Sequence, residues 1–151
     1  MAFLAPADQA LLTERFDTEL SQPVRLLLFT EPRSGLYLPG TRACESCADT
    51  EALLTELVEL SDNLTLEVHN VKEEPEIAAK WQISQVPTIA ILRSEDLGIR
   101  FMGLPSGYEF MSLIETIVAT GGGGTPLSEE TIARLGTLDA DIDIKTFSTP
   151  T

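Results

Sequence analysis

The chain has 151 residues, 43% of them hydrophobic and 23% charged, enough for one folded domain with a real core and a short appendage. Its 24 acidic and 10 basic residues leave a formal charge of −14, which repels phosphate backbones and anionic lipid and argues against nucleic acid and membrane surfaces as partners. No run reaches the roughly 18 apolar residues of a membrane span, and "MAFLAPADQALLTERF" lacks the basic-then-apolar order of a secretory leader, so a cytoplasmic address is expected.

In chain order, "DQALLTERFDTEL" (8–20) brings Leu11, Leu12, Phe16 and Leu20 near helical spacing, with Pro6 suited to the helix start. "PVRLLLFT" (23–30) is a short apolar run opened by proline, the pattern of a buried strand. The segment 31–43, "EPRSGLYLPGTRA", is a loop whose prolines and glycines break any period. A loop of this length invites a role in access or partner binding, but a tolerated insertion is the favoured account. A helix is expected from Cys44, with Leu53, Leu54, Leu57, Val58 and Leu60 on its apolar side and "SDN" ending it.

"LTLEVHNV" (64–71) alternates as a strand does, and "EEPEIAAKWQI" reads as a short helix with Pro75 in its first turn. "VPTIAILRS" and "GIRFMG" form a strand pair with "EDLG" as the hairpin turn. A helix over 107–120 would carry Tyr108, Met111, Leu113, Ile114, Ile117 and Val118 on its apolar side and stop at four glycines. After a hinge, Ser128 caps another short helix, and "DIDIKTFSTPT" alternates Ile142, Ile144 and Phe147 in strand fashion. The middle of this series is βαβ followed by a hairpin and a helix, an α/β fold with helices covering a four-stranded mixed sheet.

The only two cysteines are Cys44 and Cys47, in "CESC" at the strand-to-helix junction. That spacing admits three readings: a redox pair, half of a metal site, or structural thiols. Zinc asks for about four ligands, and His69 is the one other soft donor, which would leave a metal dependent on a second chain or outside ligands. Thiol–disulfide exchange asks only for one exposed, ionisable sulfur and a second within reach. A helix N-terminus at Cys44 would favour its thiolate, while the neighbouring Glu45 carboxylate opposes it, which points to a reductant or modest oxidant. Val86-Pro87-Thr88 opens the third strand, where a proline is tolerated on local grounds alone.

"CESC", "VPT" some way downstream and a hairpin ending in "FMG" resemble the thioredoxin/glutaredoxin superfamily. "PVRLLLF", "ELVELSDNLTLEV", "VPTIAI", "GIRFMGLPSGYEF" and "IKTFSTPT" are similar to the two-unit, glutaredoxin-like protein disulfide oxidoreductases, in their N-terminal unit. They also resemble the related N-terminal domain of the peroxiredoxin-reducing flavoprotein.

The resemblance implies a thioredoxin-like fold, with an extra N-terminal helix and a C-terminal helix–strand extension. It implies Cys44 as nucleophile, Cys47 as resolver, a cis Pro87, a substrate-binding edge of Val86, Pro87 and Thr88, and Gly103 as a secondary contact. Residues 1–121 would be the thioredoxin/glutaredoxin-like unit, and 122–151 a linker helix and the start of a second unit that this sequence does not include. The expected partners are disulfide-bearing proteins and a flavoprotein reductase of the thioredoxin-reductase kind, with no resident cofactor or metal. Glutathione, itself anionic, is disfavoured as donor because Arg42 is the one obvious cation beside the dithiol. Self-association through the C-terminal strand is a further expectation. The rival functions are a non-catalytic docking half of a two-unit redox protein and a dimer bridging a metal or cluster through paired "CESC" motifs.

Overall fold

The computed structural model describes residues 3–31, 44–122, 124, 125 and 127–147. Arg42 and the 31–43 loop beyond Glu31 therefore lie outside the described residues.

One sheet organises the chain, with strand order β2-β1-β3-β4. Strand β1 (Val24–Thr30) is central and runs parallel to β2 (Leu64–Asn70), joined to it through helix α2 (Cys47–Val58). Strands β3 (Thr88–Leu92) and β4 (Asp96–Met102) come next as an antiparallel hairpin, β3 pairing with β1. The continuous apolar run of β1 is explained by burial on both faces. Leu26 and Leu28 enter the larger core with Phe16, Leu54, Leu57, Ile114 and Ile117, while Leu27 and Phe29 enter a smaller one with Ala90 and Leu92. Each such side chain contributes about 1.5–3 kcal/mol relative to exposure. Helix α3 (Pro75–Lys80) lies on the smaller-core side, where Ile77 packs and Phe29 meets the His69 and Trp81 rings at 5.5 and 6.0 Å.

Helix α1 (Pro6–Glu19) starts on Pro6 itself, whose missing N–H costs nothing in a first turn. Phe16 is fully buried, yet Leu11, expected on the same stripe, is exposed. Glu56 on α2 accepts the N–H groups of Phe3 and Leu4, which ties the N-terminus to the fold and holds that carboxyl below its usual range. Arg15 donates to both Glu115 oxygens at 2.7 and 2.8 Å, linking α1 to helix α4 (Tyr108–Gly122).

Four expectations need correction. The hairpin turn is 93–95 rather than "EDLG", because Asp96 Oδ1 accepts the Gly98 N–H at 2.9 Å, Gly98 takes φ +75°, and the ladder shifts register between Ile91 and Leu92. Tyr108 is 94% exposed rather than packed, since it is only the first residue of α4 and the fully buried positions begin at Leu113. Gly121 and Gly122 do not stop α4 but belong to it. A Cβ on Gly121 would lie 2.7 Å from Leu20 Cδ2 and Val24 Cγ2, and one on Gly122 would lie 2.6 Å from the Glu19 carbonyl oxygen. That close approach lets the Gly121 carbonyl accept the N–H groups of Ser21 and Gln22.

The fourth correction concerns the end of the chain. Helix α5 (Glu129–Leu135) forms as expected, with Ser128 accepting the Thr131 N–H. Residues 138–147 form no strand, and Ile142, Ile144 and Phe147 are 60%, 83% and 90% exposed. Alternation supplies a strand's two faces, but a strand also needs a ladder partner, and no described residue provides one.

Gly122→Ala should lower stability by about 1–3 kcal/mol in urea unfolding through overpacking against a carbonyl that cannot yield, whereas Gly124→Ala, with open space around it, should stay within about 0.5 kcal/mol. Asp96 is held down to about 2 by the Arg100 guanidinium, helped by the Gly98 N–H. Its stabilising contribution is complete above about pH 4 and lost as pH falls toward about 2. Asp96→Asn should therefore flatten the decline of the urea midpoint across that window.

Candidate functional site

The C-terminal end of β1 and the start of β3 meet at one end of the sheet, where Phe29 pairs with Thr88. From there Glu31 reaches Cys44, whose N–H donates to Glu31 Oε1 at 3.1 Å. Cys44 and Cys47 are joined by a disulfide, with S–S 2.09 Å and Cα atoms 5.5 Å apart. The pair is asymmetric: Cys44 is partly exposed, while Cys47 is 1% exposed.

Cys44 lies ahead of the helix rather than at its start. Helix α2 begins at Cys47, with Ser46 as the capping residue, and the Ser46 carbonyl accepts both the N–H and the hydroxyl of Thr50 at 2.9 and 2.8 Å. The Ser46 side chain makes no capping bond, so the first turn is closed through its carbonyl. A helix starting at Cys44, as expected, would carry Cys47 one turn along the same face; instead a bend at Glu45 and Ser46 brings the sulfurs together. The helix dipole thus acts most directly on Cys47, and Cys44 depends more on its other surroundings.

The Val86–Pro87 peptide bond is cis. Strand β3 begins only at Thr88, two residues after the expected opening at Val86, because Pro87 has no N–H to give a ladder. Thr88 is buried and its hydroxyl donates to the Gln85 carbonyl at 2.8 Å, while the Pro87 carbonyl accepts the Gly103 N–H at 2.8 Å. Gly103 takes φ +95°, a backbone that disfavours any residue with a Cβ. Among the described residues, Val86 makes no backbone–backbone hydrogen bond. Cys44, Cys47, Val86, Pro87, Thr88 and Gly103 thus belong to elements that converge on the same sheet end.

No motif announces Glu31 and Lys72 as neighbours. Glu31 Oε2 receives Lys72 Nζ at 2.7 Å, and the Glu31 side chain is only 11% exposed. Register brings them together: Thr30 pairs with Asn70 at the ends of two parallel strands, and the Val71 N–H extends that pairing to the Thr30 carbonyl. His69 stacks on Phe29 and contacts Glu74 at 3.1 Å. Among the described residues no group of three His, Cys, Asp or Glu side chains is placed to hold a metal ion. No helix among them is long and apolar enough to cross a membrane.

A four-stranded mixed sheet with a Cys-x-x-Cys disulfide at one end and a cis-proline at the neighbouring strand start defines a thioredoxin-fold protein. The thioredoxin domain family profile matches residues 38–115, and the chain belongs to that family. The alkyl hydroperoxide reductase component AhpF of Xanthomonas campestris pv. phaseoli is 31% identical over 96 residues, covering 63% of this chain and 16% of that protein. AhpF from Enterococcus faecalis superposes with a TM-score of 0.75 at 25% identity, covering 90% of this chain and 61% of the other. A protein disulfide oxidoreductase from Aeropyrum pernix gives 0.72 at 25% identity, covering 91% and 56%. The chain therefore spans about a sixth of that curated relative and under two thirds of these solved ones.

Unequal burial should show in reactivity. After reduction, iodoacetamide should modify Cys44 at least about tenfold faster than Cys47, because only Cys44 is partly open to solvent. Peptide mass mapping at short reaction times measures the ratio.

Proposed function

We propose that the chain exchanges electrons with protein disulfides through Cys44 and Cys47. The Cys44 thiolate attacks a partner disulfide, one partner sulfur leaves as a thiolate, and a mixed disulfide joins Cys44 to the other. Cys47 then attacks Cys44 and releases the second partner sulfur, so that the partner is reduced by two electrons and Cys44–Cys47 is oxidised. The observation that carries this reading is the asymmetry of the pair: a partly exposed Cys44 can meet a partner, and a buried Cys47 is positioned only for Cys44. Val86 supports it: among the described residues it makes no backbone–backbone hydrogen bond, and its main-chain groups flank the cis bond, where a partner strand would pair. Thr88 and Gly103 would shape that edge.

Electrons for the next cycle would come from a flavoprotein reductase of the thioredoxin-reductase kind. The family resemblance and the names of the relatives, alkyl hydroperoxide reductase and protein disulfide oxidoreductase, support partners of these classes. Residues 1–121 act as the catalytic unit in this reading, and 122–151 as an extension. The exposure of Leu138, Ile142, Ile144 and Phe147 favours a docking role for that extension, toward a further unit or a second copy.

Insulin reduction with a chemical reductant tests the chemistry. Cys44→Ser should abolish turnover, and Cys47→Ser should accumulate a mixed disulfide that nonreducing electrophoresis resolves. Turnover unaffected by both substitutions would instead assign the chain to docking alone.

A further inference from the structure

Glu31 is a carboxylate with little access to water, and such a group persists in a fold only when its oxygens are matched. Here one oxygen takes the Cys44 N–H at 3.1 Å and the other takes Lys72 Nζ at 2.7 Å. Three elements meet in this contact: the end of β1, the turn after β2, and the approach to α2. Lys72 is itself placed, since its N–H donates to Asn70 Oδ1 at 3.0 Å. We propose that Glu31 and Lys72 form a charge-compensated strut under Cys44 that positions the nucleophile and sets the stability of its thiolate.

Distance and sign carry the proposal, which rests on the thiol–disulfide reading above. Covalent geometry keeps the Cys44 sulfur within about 7 Å of a carboxylate that holds the same residue's N–H. At that range the carboxylate opposes a thiolate and the ammonium favours it. The other charged groups close by in sequence are Arg33 and Arg42 in the preceding loop, Glu45, which is exposed, and Asp49 in the first turn of α2; the cis-proline segment and the Gly103–Gly107 turn add none, and the arginines are unchanged in every variant compared below. Glu31 is therefore a positioning residue that acts through Cys44, and Lys72 sets how much of its charge the sulfur feels. Removing either charge should move the dithiol couple, and the two removals should move it in opposite directions. A strut that merely braced the backbone would give the same direction for both.

The test equilibrates the protein with a dithiothreitol buffer, in which the Cys44–Cys47 disulfide takes two electrons and two protons as dithiothreitol closes to its cyclic disulfide. Alkylation followed by mass measurement gives the reduced fraction. Glu31→Gln keeps the side-chain volume and an acceptor for the Cys44 N–H but removes the negative charge. It should favour the dithiol by about three- to tenfold in the equilibrium constant and move the alkylation profile of Cys44 to lower pH. Lys72→Met should favour the disulfide by a similar factor and move that profile to higher pH, whereas Lys72→Arg should match wild type. Lys72 is 59% exposed, so its two variants carry the test even if Glu31→Gln fails to fold. Single variants that shift the same way, or a Lys72→Met with no shift, overturn the proposal. The readout is the internal couple and not insulin turnover. Opposed shifts in a protein that reduces no insulin would keep the strut and refute the catalytic reading, and turnover without shifts would do the reverse.

Discussion

Strand β1 has no free face, and that constraint organises everything else. Leu26 and Leu28 are sealed by the helices on one side, and Leu27 and Phe29 by the α3 side of the sheet. β2 and β3 pair with its two edges, so its backbone is held along its length. A strand fixed on both faces and both edges cannot shift without opening two cores. The residue after its last position is thereby placed to within the flexibility of a single side chain. That residue is Glu31, in contact with Cys44. The rigidity of the contact at Cys44 is supplied by hydrophobic burial that ends two residues away, at Phe29.

The same constraint explains why the far end of the molecule is joined through glycine. Helix α4 covers β1 and β3, and its C-terminal turn must pass close to the α1–β1 connection for Ser21 and Gln22 to reach the Gly121 carbonyl. A side chain at Gly121 or Gly122 would separate the two segments. The result is a fold whose two ends differ in kind. One end is closed by packing and backbone hydrogen bonds, and the other presents a partly exposed cysteine at the same sheet end as a cis-proline.

Much of this architecture was legible in the sequence because its causes are local or periodic. The short apolar run after Pro23 reads more like a buried strand than a helix, and Ser128 followed by two acids reads as a helix start; both form as read. Failures came where the cause lies outside the segment. Ile142, Ile144 and Phe147 alternate convincingly, but pairing is a property of two strands. Gly121 and Gly122 read as a stop signal, because sequence shows the absence of a side chain and not the atoms that occupy its place. The site divides in the same way. Spacing and resemblance brought out Cys44, Cys47, Val86, Pro87, Thr88 and Gly103, whereas Glu31 and Lys72 are joined by a strand register that no motif encodes.

The formal charge of −14 and the pair at Glu31 and Lys72 act at different ranges, and this separates partner choice from chemistry. Exposed carboxylates more than about 8–10 Å from the sulfur are largely screened at physiological salt, so the bulk of the acidic surface has little hold on a thiolate. It acts instead on the approach of a partner, raising encounter rates with basic surfaces in a salt-dependent way. The sulfur responds to the few charges within its own shell, where water is partly excluded and screening is weak. There Glu31, which accepts the Cys44 N–H, already has an ammonium at 2.7 Å. An acidic surface and a cysteine with a paired carboxylate at its backbone are thus compatible: that carboxylate is matched at the point of contact, and the distant acids are left to the solvent.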